Sequence, residues 1–599
     1  MRKEQILTMG KRRAQARNLF ATWLGLGLVL CGRGMSHAQK AGIEEVLRGG
    51  NAALERHDLK TAHADFARAV QLAPRRAEAY AGLGATLLAE GNARAATTEL
   101  KLALALRPTD GAVQLQLALA FAAISDYPDA VAMYDGLRAN SGLPALQAGA
   151  SLALATALSA TGRAAEAEAL LTSAVAADTG DAGLHDALGV VEAQQGEFAT
   201  ATAEFRRAAE LDAKAAAPHF HLGSVALAKH TPESAVSELT EAHRLAPENV
   251  QYATQLGVAE GQAGKDAEAL ATLREAVQRG GNSTAVDVTE ARYQLALAMQ
   301  NGGDSVGALA YFQQTVKARP RDAGALINLA LAMVQTGDAR GAIPLYLRAE
   351  AEEPANPTLR EDLGVAYLQQ SDLDNAVAQF RKGLAADGGS AHLHYDLGLA
   401  LKLKDKLDEA VPEFLEAERL DPDLPDPPYT LGVIYMQQGK QAEAKTALQR
   451  AVTLRPENGE AWSLLGNVLK DAGEVDAAEA ALRKAIVLLP AQPSPHITLA
   501  VLLSGRGDRA GALAERKIAA TLSKSAMSRQ QAEFALNSGR ALMEQGKLEQ
   551  AVVQLRAAVA AEPERRAPHA ALATALERSH QATEAARERA VAATLSDLP

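Results

Sequence analysis

The side chains able to do chemistry are few and poorly spaced for it. Of 13 histidines, His219 and His221 stand two apart, as do His392 and His394. On a helix that spacing turns the two rings to different faces, whereas a metal pair wants i and i+4. His219, His394, His496 and His569 share one place in a repeating pattern where Tyr80 and Trp462 stand elsewhere, so they read as packing substitutes. Glu361 and Asp362 are adjacent, and neighbouring carboxylates on a helix do not converge on one bond. Cys31 is the only cysteine, and neither a glycine-rich phosphate loop nor a nucleophile elbow occurs. The sequence therefore predicts no catalytic residue, no metal site and no cofactor.

What the chain does contain is one unit copied many times. In residues 459–492, Trp462, Leu465, Gly466 and Leu469 fall on one face of a first helix. Ala478, Leu482 and Ala485 fall on one face of a second, and Pro490 closes the pair. Steps of 34 residues place sixteen such units, starting at 43, 77, 111, 148, 182, 216, 250, 289, 323, 357, 391, 425, 459, 493, 532 and 566. The twentieth position is alanine in every one, from Ala62 to Ala585, and the eighth is Gly or Ala throughout. A small residue at the eighth position would let the two helices of a pair cross closely. Ten units carry Gly in the turn between the helices, where a left-handed backbone is needed, and nine carry Pro after the second helix, where it stops the helix.

Composition agrees with helices. Hydrophobic residues make up 48% of the 599 but aromatics only 4%, which suits Ala-rich helix stacks better than a sheet. Insertions at 145–147, 284–288 and 527–531 interrupt the 34-residue step. Each predicts either a change of pitch or a helix lengthened by about one turn. The last unit has a polar second helix, with Arg587, Glu588 and Arg589, as an end that meets water should. Arg516 makes the same departure just before the third insertion, so the final two units are expected to form a small body of their own. The first unit has Gly49 in place of the usual Leu, which predicts looser packing.

The first 38 residues read as an export signal. Lys11, Arg12, Arg13 and Arg17 form a basic region, residues 19–31 are an apolar run of 13, and Ser36-His37-Ala38 offers small residues at a cleavage site. Met9 as the start would give a basic region of more ordinary length. The run is shorter than the roughly 20 residues of a membrane span, although an uncleaved inner-membrane anchor at 19–31 is the alternative. The motif Leu28-Val29-Leu30-Cys31-Gly32 only faintly resembles a lipobox, because Leu30 is wrong there. Cleavage after Ala38 removes seven basic residues and one acid and takes the net charge from −11 to −17. Such an acidic chain is a poor partner for nucleic acid. The expected location is exported, periplasmic or secreted, and the expected organisation is 1–38 signal peptide, 43–283 and 289–526 with seven repeats each, and 532–599 as a terminal pair.

The order W-x2-L-G-x2-L, A-x3-L-x2-A, P resembles the tetratricopeptide repeat, with Leu in place of two aromatics. The resemblance covers residues 43–599 and implies an all-α, right-handed superhelical solenoid of about sixteen helix-turn-helix repeats, here in an exported bacterial protein. Members of the family bind peptide segments in a concave groove lined by the first helix of each repeat, at positions 2, 5, 9, 12 and 13. Transferred residue by residue, the lining becomes Tyr293 and Leu297; Ile327, Leu331, Val334 and Gln335; Val365, Leu368 and Gln369; Tyr395 and Leu399; and Tyr429, Val433, Met436 and Gln437. It suits an apolar or amphipathic segment, with the glutamines free to hydrogen-bond a bound backbone.

Two specialised relatives do not fit. The carboxylate clamp needs Lys at position 5 and Asn at position 9, and no repeat has both. The asparagine ladder of sugar-transferring relatives is broken, since Asn328 and Asn537 are joined by Asp362, Asp396, Gln294 and Thr430. The expectation is a non-catalytic scaffold whose partners are other proteins or their peptide segments. The alternative is a structural part of an envelope machine for polysaccharide export or pilus assembly.

Overall fold

The computed structural model describes residues 37–140, 146–354 and 356–596, among which lie 31 helices and no strand. The export signal up to residue 36 falls outside them. No described helix is long and apolar enough to cross a membrane. The architecture is an all-α solenoid of helix pairs, each pair a helix A of about 13 residues and a helix B of 14, such as Gly459–Asp471 and Val475–Leu488. Two compact units divide the chain, Met1–Asp304 and Ser305–Pro599. Within each, helix A packs on its own helix B, and helix B on the next helix A.

Local chemistry sets the helix ends. Asp110, Asp181, Asn249, Asp322, Asn356, Ser390 and Asn458 each accept a backbone N–H in the first turn of a helix A, satisfying donors that the helix cannot. Between A and B, all sixteen repeats place one residue at positive φ. Ten of these are the predicted glycines, and the other six are His57, Ser125, His230, Ser371, Asp405 and His580, with φ between 54° and 61°. The turn geometry is thus kept even where the side chain opposes it.

The small eighth residue does let the helices cross closely, since a Cβ on Gly189 would lie 3.1 Å from the Ala201 carbonyl oxygen, and it also leaves room for a side chain. A Cβ on Gly466 would lie 2.6 Å from Leu482 Cγ, and one on Gly364 would lie 2.4 Å from Phe380 Cε1. The eighth residue makes room for the large side chain at position 24 of its own repeat. That side chain is buried in fourteen repeats, and each contributes about 1.5–3 kcal/mol by burial. Arg516 and Arg589 are the two exceptions, and both are exposed.

The insertions resolve differently from one another. The first lies partly at 145, outside the described residues, and ends in the irregular segment before Ala148–Ala160. The second is shared between an irregular stretch and a helix A lengthened to Val286–Asn301. The third is absorbed whole: helix B of repeat 14 and helix A of repeat 15 run together as Arg509–Glu544, 36 residues without a break. Residues 523–531 contain no Pro, Gly, Asp or Asn, and Lys524 stands where nine repeats have the proline that ends helix B. Nothing there stops the helix. Separate hydrophobic cores lie on either side, one reaching Ala512 and the other beginning at Ala535.

Candidate functional site

In the second unit, helices A of repeats 9 to 12 are Ala323–Gln335, Pro357–Gln369, Ala391–Leu403 and Asp426–Gln437. Positions 5 and 9 of each lie four apart and so share a face. Ile327, Leu331, Val365, Tyr395, Leu399, Tyr429 and Val433 are all half-buried, as are Leu368 and Met436 at position 12, while Gln369 and Gln437 are exposed. Val334 is buried rather than presented, and Gln335 accepts a hydrogen bond from Ser305 Oγ at 2.6 Å. Tyr293 and Leu297, on Val286–Asn301 of the first unit, are half-buried in the same pattern.

Several of these side chains also hold the stack together. Tyr395 lies 5.6 Å, ring centroid to centroid, from Phe414 beneath it, and Val365, Leu368 and Leu399 pack against the same core. The Tyr429 hydroxyl donates to Glu460 at 3.1 Å, and its ring rests with Met436 on the next core. The strip is therefore the half-exposed upper edge of the core.

At position 6 the same helices carry Asp362 and Asp396. Burial, with the charge of Glu361 added, pushes Asp362 up to about 6 and Asp396 up to about 7. Burial raises Glu361 as well. The Glu361 charge reaches Asp362 along its own helix and Asp396 from the preceding repeat. Around neutral pH Asp396 in the floor of the strip therefore carries a proton part of the time, able to donate as well as accept.

The position-4 histidines are not plain packing substitutes. His219, His394, His496 and His569 each place Nδ1 within 2.5–2.8 Å of the glutamate at position 23 of their own repeat, namely Glu238, Glu413, Glu515 and Glu588. His185 does the same with Glu204 at 2.6 Å, a fifth case which the sequence also carried at the fourth position. The other edge of this position caps the preceding loop. Tyr80, Gln114 and Trp462 donate to the carbonyls of Pro74, Pro108 and Pro456, each six residues back, and His569 Nε2 lies 2.9 Å from that of Pro563. Position 4 locks the turn between repeats. No group of three or more potential metal ligands occurs among the described residues.

One further concavity lies in the last two repeats, a cavity of about 510 Å³ lined by Arg540, Met543, Arg566, Ala567, Ala570, Ala571 and Thr574. Positions 5 and 9 recur here, but as Arg, Ala and Thr.

Comparison with known proteins gives a consistent picture. The tetratricopeptide repeat family matches residues 115–182, 220–284, 293–358, 361–425 and 429–493, more than half of the chain. Similar solved structures include YrrB, described as a repeat protein of this type with an unusual peptide-binding site, at 25% identity over 31% of this chain and 92% of that one, with a TM-score of 0.27. MamA of Desulfovibrio magneticus RS-1 is similar at 23% identity over 29% and 94%, TM-score 0.27. Human IFIT1 is similar at 17% over 63% and 89%, TM-score 0.35. None of the curated proteins compared matches the chain.

Proposed function

Since the chain belongs to the tetratricopeptide repeat family, we propose that it is a non-catalytic scaffold holding an apolar or amphipathic segment of a partner protein against helices A of repeats 9 to 12. The observation that carries this reading is the strip itself. Four successive helices present half-exposed aliphatic or aromatic side chains at positions 5 and 9, interrupted only by Glu361 at the edge of the Asp362 and Asp396 pair, with exposed glutamines alongside. An amphipathic helix laid there would bury its apolar face, and Gln369 and Gln437 would meet its polar flank. The proposed place of work is outside the inner membrane, on the strength of the basic and apolar leader ending at Ala38.

A photo-crosslinking residue at Leu399 or Val433, expressed in living cells, tests the reading. Recovery of one partner through an apolar segment at both positions, and not from the exposed helix B residue Leu415, is the expected result. Equal recovery from Leu415, or none from the strip, would remove the assignment. Recovery of several envelope components through helix B would favour the structural role in an envelope assembly.

A further inference from the structure

At every junction but one, helix B of a repeat packs on helix A of the next. Repeats 14 and 15 are the exception, because the unbroken Arg509–Glu544 helix joins the two helices end to end and holds their faces apart. The positions that other junctions cover show the effect. Position 21, on helix B, is shielded in every repeat except the last and repeat 14, where Leu513 is 69% exposed. Position 3, on helix A, is shielded in every repeat except the first and repeat 15, where Phe534 is 75% exposed. Position 5 repeats the pattern at the trailing end, with Ile497 51% exposed.

The first and last repeats differ in kind. In the first, the exposed position 3 is Glu45, and in the last, the exposed positions 5 and 21 are Ala570 and Ala586. Those are residues that water tolerates. The open internal junction instead carries Phe534, Ile497 and Leu513 at the same places, side chains of the size that closed junctions bury. These faces are built to be covered, and the fold specifies the cover: the trailing face of a repeat 14 fits the leading face of a repeat 15, as at each closed junction.

Within one chain those two faces cannot meet without breaking the helix between them. Residues 523–531 are helical and place the ends of the two packed halves about 15 Å apart along the axis. We propose that a second copy of this chain closes the junction, the two long helices crossing antiparallel on a two-fold axis so that each copy's repeat 14 meets the other's repeat 15. This is an exchange of identical elements between protomers, which needs no interface that the fold does not already make. Met527, 61% exposed, is the midpoint of 523–531 and would meet its own counterpart on the axis.

The purified full chain, measured by multi-angle light scattering over a range of concentrations, is expected to show twice the monomer mass of 62.7 kDa. Phe534→Glu and Leu513→Glu are each expected to give the monomer with unchanged far-UV circular dichroism, and Glu45→Gln to leave the dimer intact. A third variant guards against misfolding. Deleting 527–531 with Lys524→Pro restores the 34-residue step and the usual turn, and should yield a fully helical monomer whose junction closes in cis. With Cys31→Ser, mixing Leu513→Cys chains with Phe534→Cys chains should produce a disulfide between copies. A monomer at all concentrations would overturn the proposal. So would a dimer indifferent to both glutamates, or a double Leu513→Cys, Phe534→Cys chain that closes on itself.

Discussion

Leu482 Cγ lies 2.6 Å from the point that a Cβ on Gly466 would occupy, so the two residues share a space that holds only one side chain. The same exchange links Gly84 with Leu100, Gly189 with Phe205 and Gly432 with Leu448. Replacing Gly466 by Ala is expected to overpack this pair and cost about 1–3 kcal/mol. Adding Leu482→Val should return part of the loss. Chemical denaturation followed by helical circular dichroism measures both, and independent additive effects would show that the residues do not compete.

Asp396 gives the unit a pH dependence whose sign is fixed by burial. Its folded-state value of about 7 lies above the ordinary 3.8, so between those limits the folded chain holds a proton that the unfolded chain has lost. Stability from this group is therefore complete below about pH 4 and declines as pH rises to about 7. Asp396→Asn is expected to stabilise the second unit by about 2–4 kcal/mol at pH 8 and hardly at all at pH 4. Thermal melts at the two pH values read the difference. A gain at pH 4 equal to that at pH 8 would contradict the assignment.

The six left-handed positions without glycine are a reserve of stability. Ser371 at φ 58° and His230 at φ 54° hold a conformation that costs an L-residue about 1–2 kcal/mol. Ser371→Gly and His230→Gly should each raise stability by about 0.5–1 kcal/mol after the loss in unfolded-chain entropy. Gly473→Ala, at φ 76°, should lower it. Denaturation midpoints of the three variants are the test.

His496 and Glu515, 2.5 Å apart with the histidine buried, should behave as a coupled pair. His496→Ala and Glu515→Ala are each expected to cost about 1–3 kcal/mol by stranding a buried polar partner. The double variant should cost less than their sum, which a double-mutant cycle measures. Exact additivity would show that the contact contributes nothing.

How much of this could be read beforehand follows from what the physics depends on. The 34-residue step, Ala62 to Ala585, and the turn glycines are local requirements repeated sixteen times, and they are legible at sight. The join at 523–531 was also written in the sequence, as a stretch lacking every helix terminator, but a pattern aligned repeat by repeat assumes a turn at each boundary and hides it. His185 stands at the fourth position like its four counterparts, so its contact with Glu204 was legible from the repeat alone. The rise at Asp362 and Asp396 was not legible, because it depends on burial set by the repeat on either side. Val334 is buried for the same reason: a position number specifies a direction on its own helix, and the neighbouring repeat decides what covers it.

The 36-residue helix also changes the mechanics of the chain. Elsewhere, neighbouring repeats meet through short turns, pinned by side chains such as Trp462 on the carbonyl of Pro456, and each such joint can yield a little in bending. Between repeats 14 and 15 the joint is a single rod about 54 Å long, clamped at each end in a different core. A rod transmits twist as faithfully as it resists bending. A rotation imposed on the repeats ahead of Arg509 would be carried along the helix to Ala535 and beyond, making the last two repeats the pointer of a torsional gauge.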